Sequence, residues 1–286
     1  MVEIPLTIRQ LTAADLPSAL RLSEQAGWNQ LEVDWRRMLE LEPGGCLAAE
    51  RDGRLVGTTA CCTFGPVAWL AMVLVEESLR GQGIGRRLVE AGLDFADRAG
   101  AKTVRLDATL LGRPVYERAG FVPQFELTRW SGRPVADGLP KPGGLWIARS
   151  SSSAVHDELL ALDRRSTGTD RAKLLRHLFA TAPPLVARSP DGRIVGFLAE
   201  RPGRLATQLG PCCGTEDAAL ALLLDALREL DGESVIVDVP TDSVDVPALL
   251  QQAGLSVQRP LLRMCRGEPV CEDRDWFRCS YSPELG

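Results

Sequence analysis

The chain has 286 residues, 45% hydrophobic and 25% charged, with 27 glycines and 19 prolines, a globular composition with room for two domains of ordinary size. Its 33 basic residues are outnumbered by 38 acidic ones, for a net charge of −5, which argues against a surface built to neutralise nucleic-acid phosphates. No apolar stretch reaches the roughly 18 residues of a membrane span and no signal sequence is evident, so the expectation is a cytoplasmic protein with neither nucleic-acid nor membrane partner.

In chain order, Ile4 to Arg9 reads as a strand, and Ala13 to Gln25 and Val33 to Leu41 read as helices. Cys46 to Arg51, Leu55 to Phe64 and Val67 to Val75 form an antiparallel meander. A long helix then places Ile84, Leu88, Ala91 and Phe95 on one face. Strand Thr103 to Ala108, helix Arg113 to Ala119 and strand Phe121 to Arg129 follow. The stretch Ser131 to Gly144, with three prolines and four glycines, suits a linker. Beyond it the order recurs, with strands near Leu185 to Arg188, Ile194 to Glu200, Leu205 to Leu209, Val235 to Val239 and Leu255 to Met264. The second long helix carries Leu220, Leu223, Leu224, Leu227 and Leu230.

The recurrence is also written in residues. Asp52-Gly53-Arg54-Leu55-Val56-Gly57 returns as Asp191-Gly192-Arg193-Ile194-Val195-Gly196, each expected to close a tight hairpin because both turn residues tolerate positive φ. Val104 to Asp107 and Ala119-Gly120-Phe121 are echoed by Val235 to Asp238 and Ala253-Gly254-Leu255. The eight cysteines include the neighbours Cys61-Cys62 and Cys212-Cys213, without CxxC spacing and with only His156 and His177 to join them. They read as reduced packing residues, and no metal site is expected.

Chemistry concentrates where the apolar strand ending at Val75 enters Arg80-Gly81-Gln82-Gly83-Ile84-Gly85-Arg86 and then an amphipathic helix. Glycines at alternate positions let a ligand approach the main chain, and the helix N-terminus adds about half a positive charge. A pyrophosphate is the natural guest, with Arg80 and Arg86 placed to give charge-assisted hydrogen bonds. The Gly-x-Gly-x-Gly spacing after a meander disfavours a dinucleotide fold. Arginines after the last glycine, where a Walker loop needs Lys and Ser or Thr, disfavour nucleotide hydrolysis.

Arg80 to Gly85 resembles the acyl-CoA pyrophosphate loop of the GNAT-type N-acetyltransferase superfamily, and Tyr116-Glu117-Arg118-Ala119-Gly120-Phe121 resembles that family's Tyr-x-x-x-Gly-Phe segment. The resemblance covers roughly residues 3 to 130. It implies an α/β (α+β) fold of two tandem acetyltransferase-like domains, each a mixed, mostly antiparallel twisted sheet flanked by helices. The expected division is a catalytic domain at 1–135, a linker at 136–144 and a degenerate copy at 145–286. The implied activity is transfer of an acetyl group from acetyl-CoA to a small-molecule primary amine. A non-catalytic acyl-CoA-binding or regulatory module is the alternative, and a homo-oligomer stays open.

By that resemblance, the loop residues Arg80, Gly81, Gln82, Gly83, Ile84, Gly85 and Arg86 bind the cofactor, and the backbone of Val73 and Val75 pairs with pantetheine. Thr109 stands where many relatives carry an Asn that bonds the same arm. Tyr116, protonated at neutral pH, can donate to the departing thiolate, its other reading being a core tyrosine at a helix end. No Asp or Glu lies between Thr63 and Val75, so the strand offers no general base. Asp107 and Glu76 are the nearest substitutes, each also readable as a structural carboxylate. Trp28 and Asn29, between the two early helices, together with Trp69 and Met72, are the expected acceptor-side residues. In the second half, Gly210-Pro211-Cys212-Cys213-Gly214-Thr215 reads as the loop before the long helix, without the Arg-x-x-Gly-x-Gly pattern. Leu250 stands where the tyrosine would be.

Overall fold

A computed structural model describes residues 6–140 and 143–286, so the Ile4 end of the first expected strand and Lys141 and Pro142 of the expected linker lie outside the described residues. The chain divides into two compact units. The first comprises the chain up to Gln124 with Arg263–Pro269 and Pro283–Leu285, and the second comprises Phe125–Leu262 with Val270–Ser282 and Gly286.

The first unit contains β1 (Thr7–Gln10), α1 (Leu16–Gln25), α2 (Glu32–Leu41), β2 (Cys46–Arg51), β3 (Arg54–Phe64), β4 (Val67–Val75), α3 (Ile84–Arg98), β5 (Thr103–Ala108) and α4 (Arg113–Arg118). β1 to β4 pair antiparallel in sequence order, and β5 joins β4 parallel. The β2–β3 hairpin closes through Asp52 and Gly53, with φ of +55° and +68°, as the Asp-Gly signal requires. α3 covers one face of the sheet with Ile84, Leu88, Val89, Gly92, Leu93 and Ala96 buried. Ala91 and Phe95 are only half-buried, so the stripe is rotated from the expected one. A Cβ on Gly92 would come within 2.5 Å of Leu70 Cδ1, so the missing side chain lets α3 lie close on β4. That fixes the start of α3 beside the end of β4.

The second half of the sequence repeats this order: β6 (Val122–Gly132) closes the first run, and β7 (Trp146–Arg149), α5 (Ser153–Thr167), α6 (Ala172–Thr181), β8 (Leu185–Arg188), β9 (Ile194–Arg201), β10 (Thr207–Gly214), α7 (Glu216–Glu229), β11 (Val235–Pro240), α8 (Asp245–Gln252) and β12 (Ser256–Gly267) form the second, followed by β13 (Phe277–Cys279). Ser131 and Gly132, expected in the linker, are strand. In the second unit the order is β6-β11-β10-β9-β8-β7, with β13 also on β10. Its core collects Leu209, Leu222, Leu223, Leu227, Val235, Val237 and Leu250, all fully buried. The fold is a mixed α/β arrangement with mostly antiparallel sheet flanked by helices.

Each unit takes its outermost central strand from the other half of the sequence. β5 is flanked by β12, whose residues from Arg263 belong to the first unit. β11 is flanked by β6, whose residues from Phe125 belong to the second.

Two expectations need correction. Ser189 to Arg193 forms a five-residue connection in which Gly192 N–H donates to Ser189 O at 2.8 Å, a turn led by Pro190 rather than a two-residue Asp-Gly turn. Proline's fixed φ suits the second turn position and glycine the fourth. And Gly210 to Gly214 is no loop: β10 runs to Gly214 and α7 begins two residues later. All eight cysteines are free thiols and only Cys271 is exposed. Among the described residues no cluster of metal-ligating side chains occurs, and no helix is long and apolar enough to cross a membrane.

Candidate active site

β4 and β5 form a ladder only from Val67↔Thr103 to Trp69↔Arg105, although both strands run on, to Val75 and Ala108. Beyond Trp69 the two strands part. On its other edge β4 stays paired to β3 through a bulge between Thr58 and Ala60. Opposite it Met72 takes φ +54°, an uncommon backbone state for a side-chain-bearing residue. Thr58 Oγ1 donates to Met72 O at 2.8 Å and Thr59 Oγ1 to Ala71 O at 3.3 Å, which holds the bulge. After it, Glu76 N–H donates to Val56 O at 2.9 Å. N–H groups alternate between strand edges, so those of Val75 and Val73 face the opening.

The turn after β4 brings a second set of main-chain donors to the same place. Gly81 and Gly83 have φ of +77° and +80°, which accounts for glycine at both. Gly85 differs, because it lies in ordinary helix and a Cβ there would meet only Val75 Cγ2, at 3.7 Å. Neither backbone nor packing demands glycine, and the missing side chain leaves the start of the helix open. The N-terminus of α3 carries no side-chain cap and no acid in its first turn, and its first internal bond is Arg87 N–H to Gly83 O at 3.1 Å. Its leading amides are therefore directed outward with the positive end of the helix dipole.

The charged residues of the turn lie on the surface. Arg80 Nε donates to Val75 O at 3.4 Å and Gln82 Oε1 accepts from Arg51 at 2.9 Å. Arg86, by contrast, is turned along the helix into a 2.7 Å pair with Glu90, the usual i,i+4 partner of an exposed arginine.

Tyr116 sits half-buried on α4. Its ring packs edge-on against Phe121, with centroids 5.9 Å apart, and Gly112 lies against it, since a Cβ there would come within 2.9 Å of Tyr116 Cε2. Burial alone pushes its phenol pKa above the ordinary tyrosine value, because desolvation penalises the phenolate. The hydroxyl therefore keeps its proton. Thr109 is engaged locally: its Oγ1 accepts from Gly112 N–H at 3.2 Å, which fixes the turn entering α4.

Of the two readings of Asp107, a helper near the amine or a structural carboxylate, its surroundings favour the second. Its side chain is buried and both oxygens are held by Arg263, Oδ1 by Nε and Oδ2 by Nη2, each at 2.8 Å. The second unit contains the same arrangement, Arg129 on Asp238 with both bonds at 2.7 Å. Asp238 is the residue that the sequence repeat places opposite Asp107, and there no glycine-led helix start accompanies it. A pair present in both halves ties strands together and is not specific to a reaction. Glu76 is likewise engaged, 3.3 Å from Arg54 and 3.7 Å from Arg21.

Around Trp69 the structure assembles residues that the sequence reading missed. Trp69 is 3% exposed, with the guanidinium carbons of Arg105 and Arg263 at 5.3 and 4.9 Å from its ring centroid. Arg105 Nε also donates to Gln124 at 3.2 Å. Arg105 interrupts an apolar strand two residues before Asp107, on the same face, and that was the available signal. Arg263, remote in sequence, left none. Asn29 and Met72 are buried and Trp28 is half-buried, in the segment between α1 and α2 and on β4 respectively.

Residues 9–121 match the family profile described as the acetyltransferase (GNAT) family, and residues 159–276 match one described as an acetyltransferase (GNAT) domain. The chain belongs to the GNAT acetyltransferases. It is a tandem GNAT protein, one domain to each half of the sequence. It is 26% identical over 239 residues to the uncharacterized N-acetyltransferase YitH of Bacillus subtilis strain 168, covering 82% of both chains. It is 27% identical over 223 residues to the holothin acyltransferase of Pseudoalteromonas sp. strain SANK 73390, covering 77% of this chain and 73% of that one. The GCN5-related N-acetyltransferase structure from Sphaerobacter thermophilus shares the fold with a TM-score of 0.68 and 19% identity, over 94% of this chain and 99% of that one. The tandem GNAT architecture and a transferase function rest on these matches.

Proposed function

We propose that the first domain transfers an acetyl group from acetyl-CoA to the primary amine of a small molecule by direct attack. The observation that carries this reading is the opening between β4 and β5 beside the uncapped start of α3, a row of main-chain donors that leads from a thioester site to a diphosphate site. Gly85 fits the donor, since the space a side chain would take is clear. Relatives named N-acetyltransferase and acyltransferase support the same class.

In this reading the amides from Gly81 to Arg86 hold the pyrophosphate, with Arg80 close by and Arg86 free to rotate from Glu90. The N–H groups of Val73 and Val75 pair with the pantetheine arm, and one polarises the thioester carbonyl, strengthening as negative charge develops on its oxygen. Tyr116 gives its proton to the departing sulfur, so the thiolate never has to leave as an anion. The amine loses its proton to solvent, because Asp107 and Glu76 are both engaged by arginines. Trp28, Asn29, Trp69 and Met72 line the acceptor side, and Thr109 borders the cofactor side through the turn it holds.

The engaged carboxylates also favour a second reading, an acyl-CoA-binding module without turnover. Thiol release from acetyl-CoA across a panel of small amines, with calorimetry on coenzyme A alone, separates the two. Amine-dependent release is expected. Binding without release selects the module, and absence of binding overturns both.

A further inference from the structure

The segment Pro283–Leu285 belongs to the first unit although the preceding residues, Val270–Ser282, belong to the second. It reaches the two places where the acceptor side was expected. Trp69 Nε1 donates to Pro283 O at 3.3 Å, and Gln30 Nε2, from the segment between α1 and α2, donates to Glu284 Oε1. Gln30 and Glu284 are each 6% exposed and Leu285 is 1% exposed. Trp69 stands at the vertex where β4 and β5 part. Leu70 faces α3, so Trp69, its neighbour along the strand, faces away from α3.

A buried indole N–H and a buried carboxylate each need a partner, and these two adjacent residues join both needs. One end of the segment satisfies Trp69, and the other accepts from the amide that fixes the residues after Trp28 and Asn29. The first domain match ends at residue 121, so the domain as a sequence unit lacks this wall.

We propose that Glu284 is a positioning residue for the amine acceptor: through Gln30 it holds the Trp28–Asn29 segment in register with Trp69, and Pro283 anchors it there. The inference rests on reading the first domain as an amine acetyltransferase. It assigns acceptor affinity in part to residues far along the chain, while cofactor binding stays with β4 and α3.

The test uses the full chain with Glu284→Ala, which removes the acceptor atom, and Glu284→Gln, which keeps an oxygen for the Gln30 amide. Glu284→Ala is expected to raise KM for the amine about tenfold, the scale of one lost hydrogen bond to a charged group. kcat at saturating amine and the affinity for coenzyme A should stay within about twofold. Glu284→Gln should return KM toward the wild-type value. Amide hydrogen exchange should quicken across residues 26–31 in the Ala variant and not at the start of α3, a readout that needs no activity. Trp69→Phe, which removes the indole donor, should raise KM in the same direction if Glu284→Ala folds poorly. An unchanged exchange pattern at 26–31, or equal KM in wild type and Glu284→Ala, overturns the proposal. Failure of coenzyme A to bind the wild type overturns the acetyltransferase reading instead, and the exchange result still decides the positioning role.

Discussion

The two halves of this chain build one plan twice and differ most plainly at the start of the long helix. α3 begins after a glycine turn with no cap and no acid in its first turn. α7 begins directly from the strand, with Thr215 Oγ1 accepting from Ala218 N–H at 3.3 Å and with Glu216 and Asp217 in its first turn. One helix dipole is answered by the protein's own side chains and the other is not. The lesson is that the scaffold and the helix start are separable, because strand order and core packing place no demand on the first few amides of the helix.

What the halves share is expected to have the largest effect on folding. The buried pairs Asp107–Arg263 and Asp238–Arg129 each join a central strand to the strand drawn from the other half. Removing one partner leaves a buried guanidinium without its counter-ion. Asp107→Ala and Asp238→Ala should therefore each destabilise the chain by about 3–5 kcal/mol, read from the denaturant midpoint. If Asp107→Ala folded normally and lost only activity, its role would be chemical after all.

Where the halves differ, the effect should fall on binding. Gly85→Glu places in α3 the charge that α7 carries, at a position with ordinary helical backbone and open space around its Cβ. The carboxylate would face the diphosphate and occupy its approach, so coenzyme A affinity should drop at least about 100-fold with the unfolding temperature nearly unchanged. Calorimetry and a melting curve on the same sample read both. Retained affinity would mean that the helix start is not the anion site.

Tyr116→Phe comes next. Turnover should fall by about tenfold or more with coenzyme A affinity intact, because the ring still packs on Phe121. Since burial raises the phenol pKa, Tyr116 stays protonated past the ordinary tyrosine range. The pH–rate profile should then rise as the amine loses its proton and show no falling limb up to about pH 10. A falling limb that vanished in the Phe variant would show the phenol ionising, against the burial that surrounds it.

Much of this comparison could be read from the sequence, for physical reasons. Cys46–Arg51, Val67–Val75, Thr103–Ala108 and Leu185–Arg188 have the bounds that local patterning gave, because glycine, proline and Asp-Gly punctuation sets strand ends locally. The glycine turn at 80–86 was equally legible, being a contiguous motif. The exchange of β6 and β12 was not. Two strands of similar pattern fit beside either β5 or β11, and only the whole fold chooses. Arg263 and Glu284 were hidden for the same reason, as partners more than 150 residues from the groups they meet. The loop expected at Gly210–Gly214 failed because Gly and Pro were read as turn formers where the chain is a bulged strand.

The smallest expected effects test how α7 is closed. Thr215→Ala removes the cap and should cost about 1 kcal/mol, seen in the denaturant midpoint, with coenzyme A affinity unmoved. The double variant Glu216→Gln, Asp217→Asn goes further and strips the acids from the same helix start. If charge alone separated the halves, coenzyme A would then bind at a second site. The expected stoichiometry by calorimetry is still one, because β10 runs to Gly214 and enters α7 without the turn that lifts glycine amides outward at the start of α3. A second equivalent bound would show that the missing turn matters less than the carboxylates, and would place the loss of the site in two side chains rather than in the backbone.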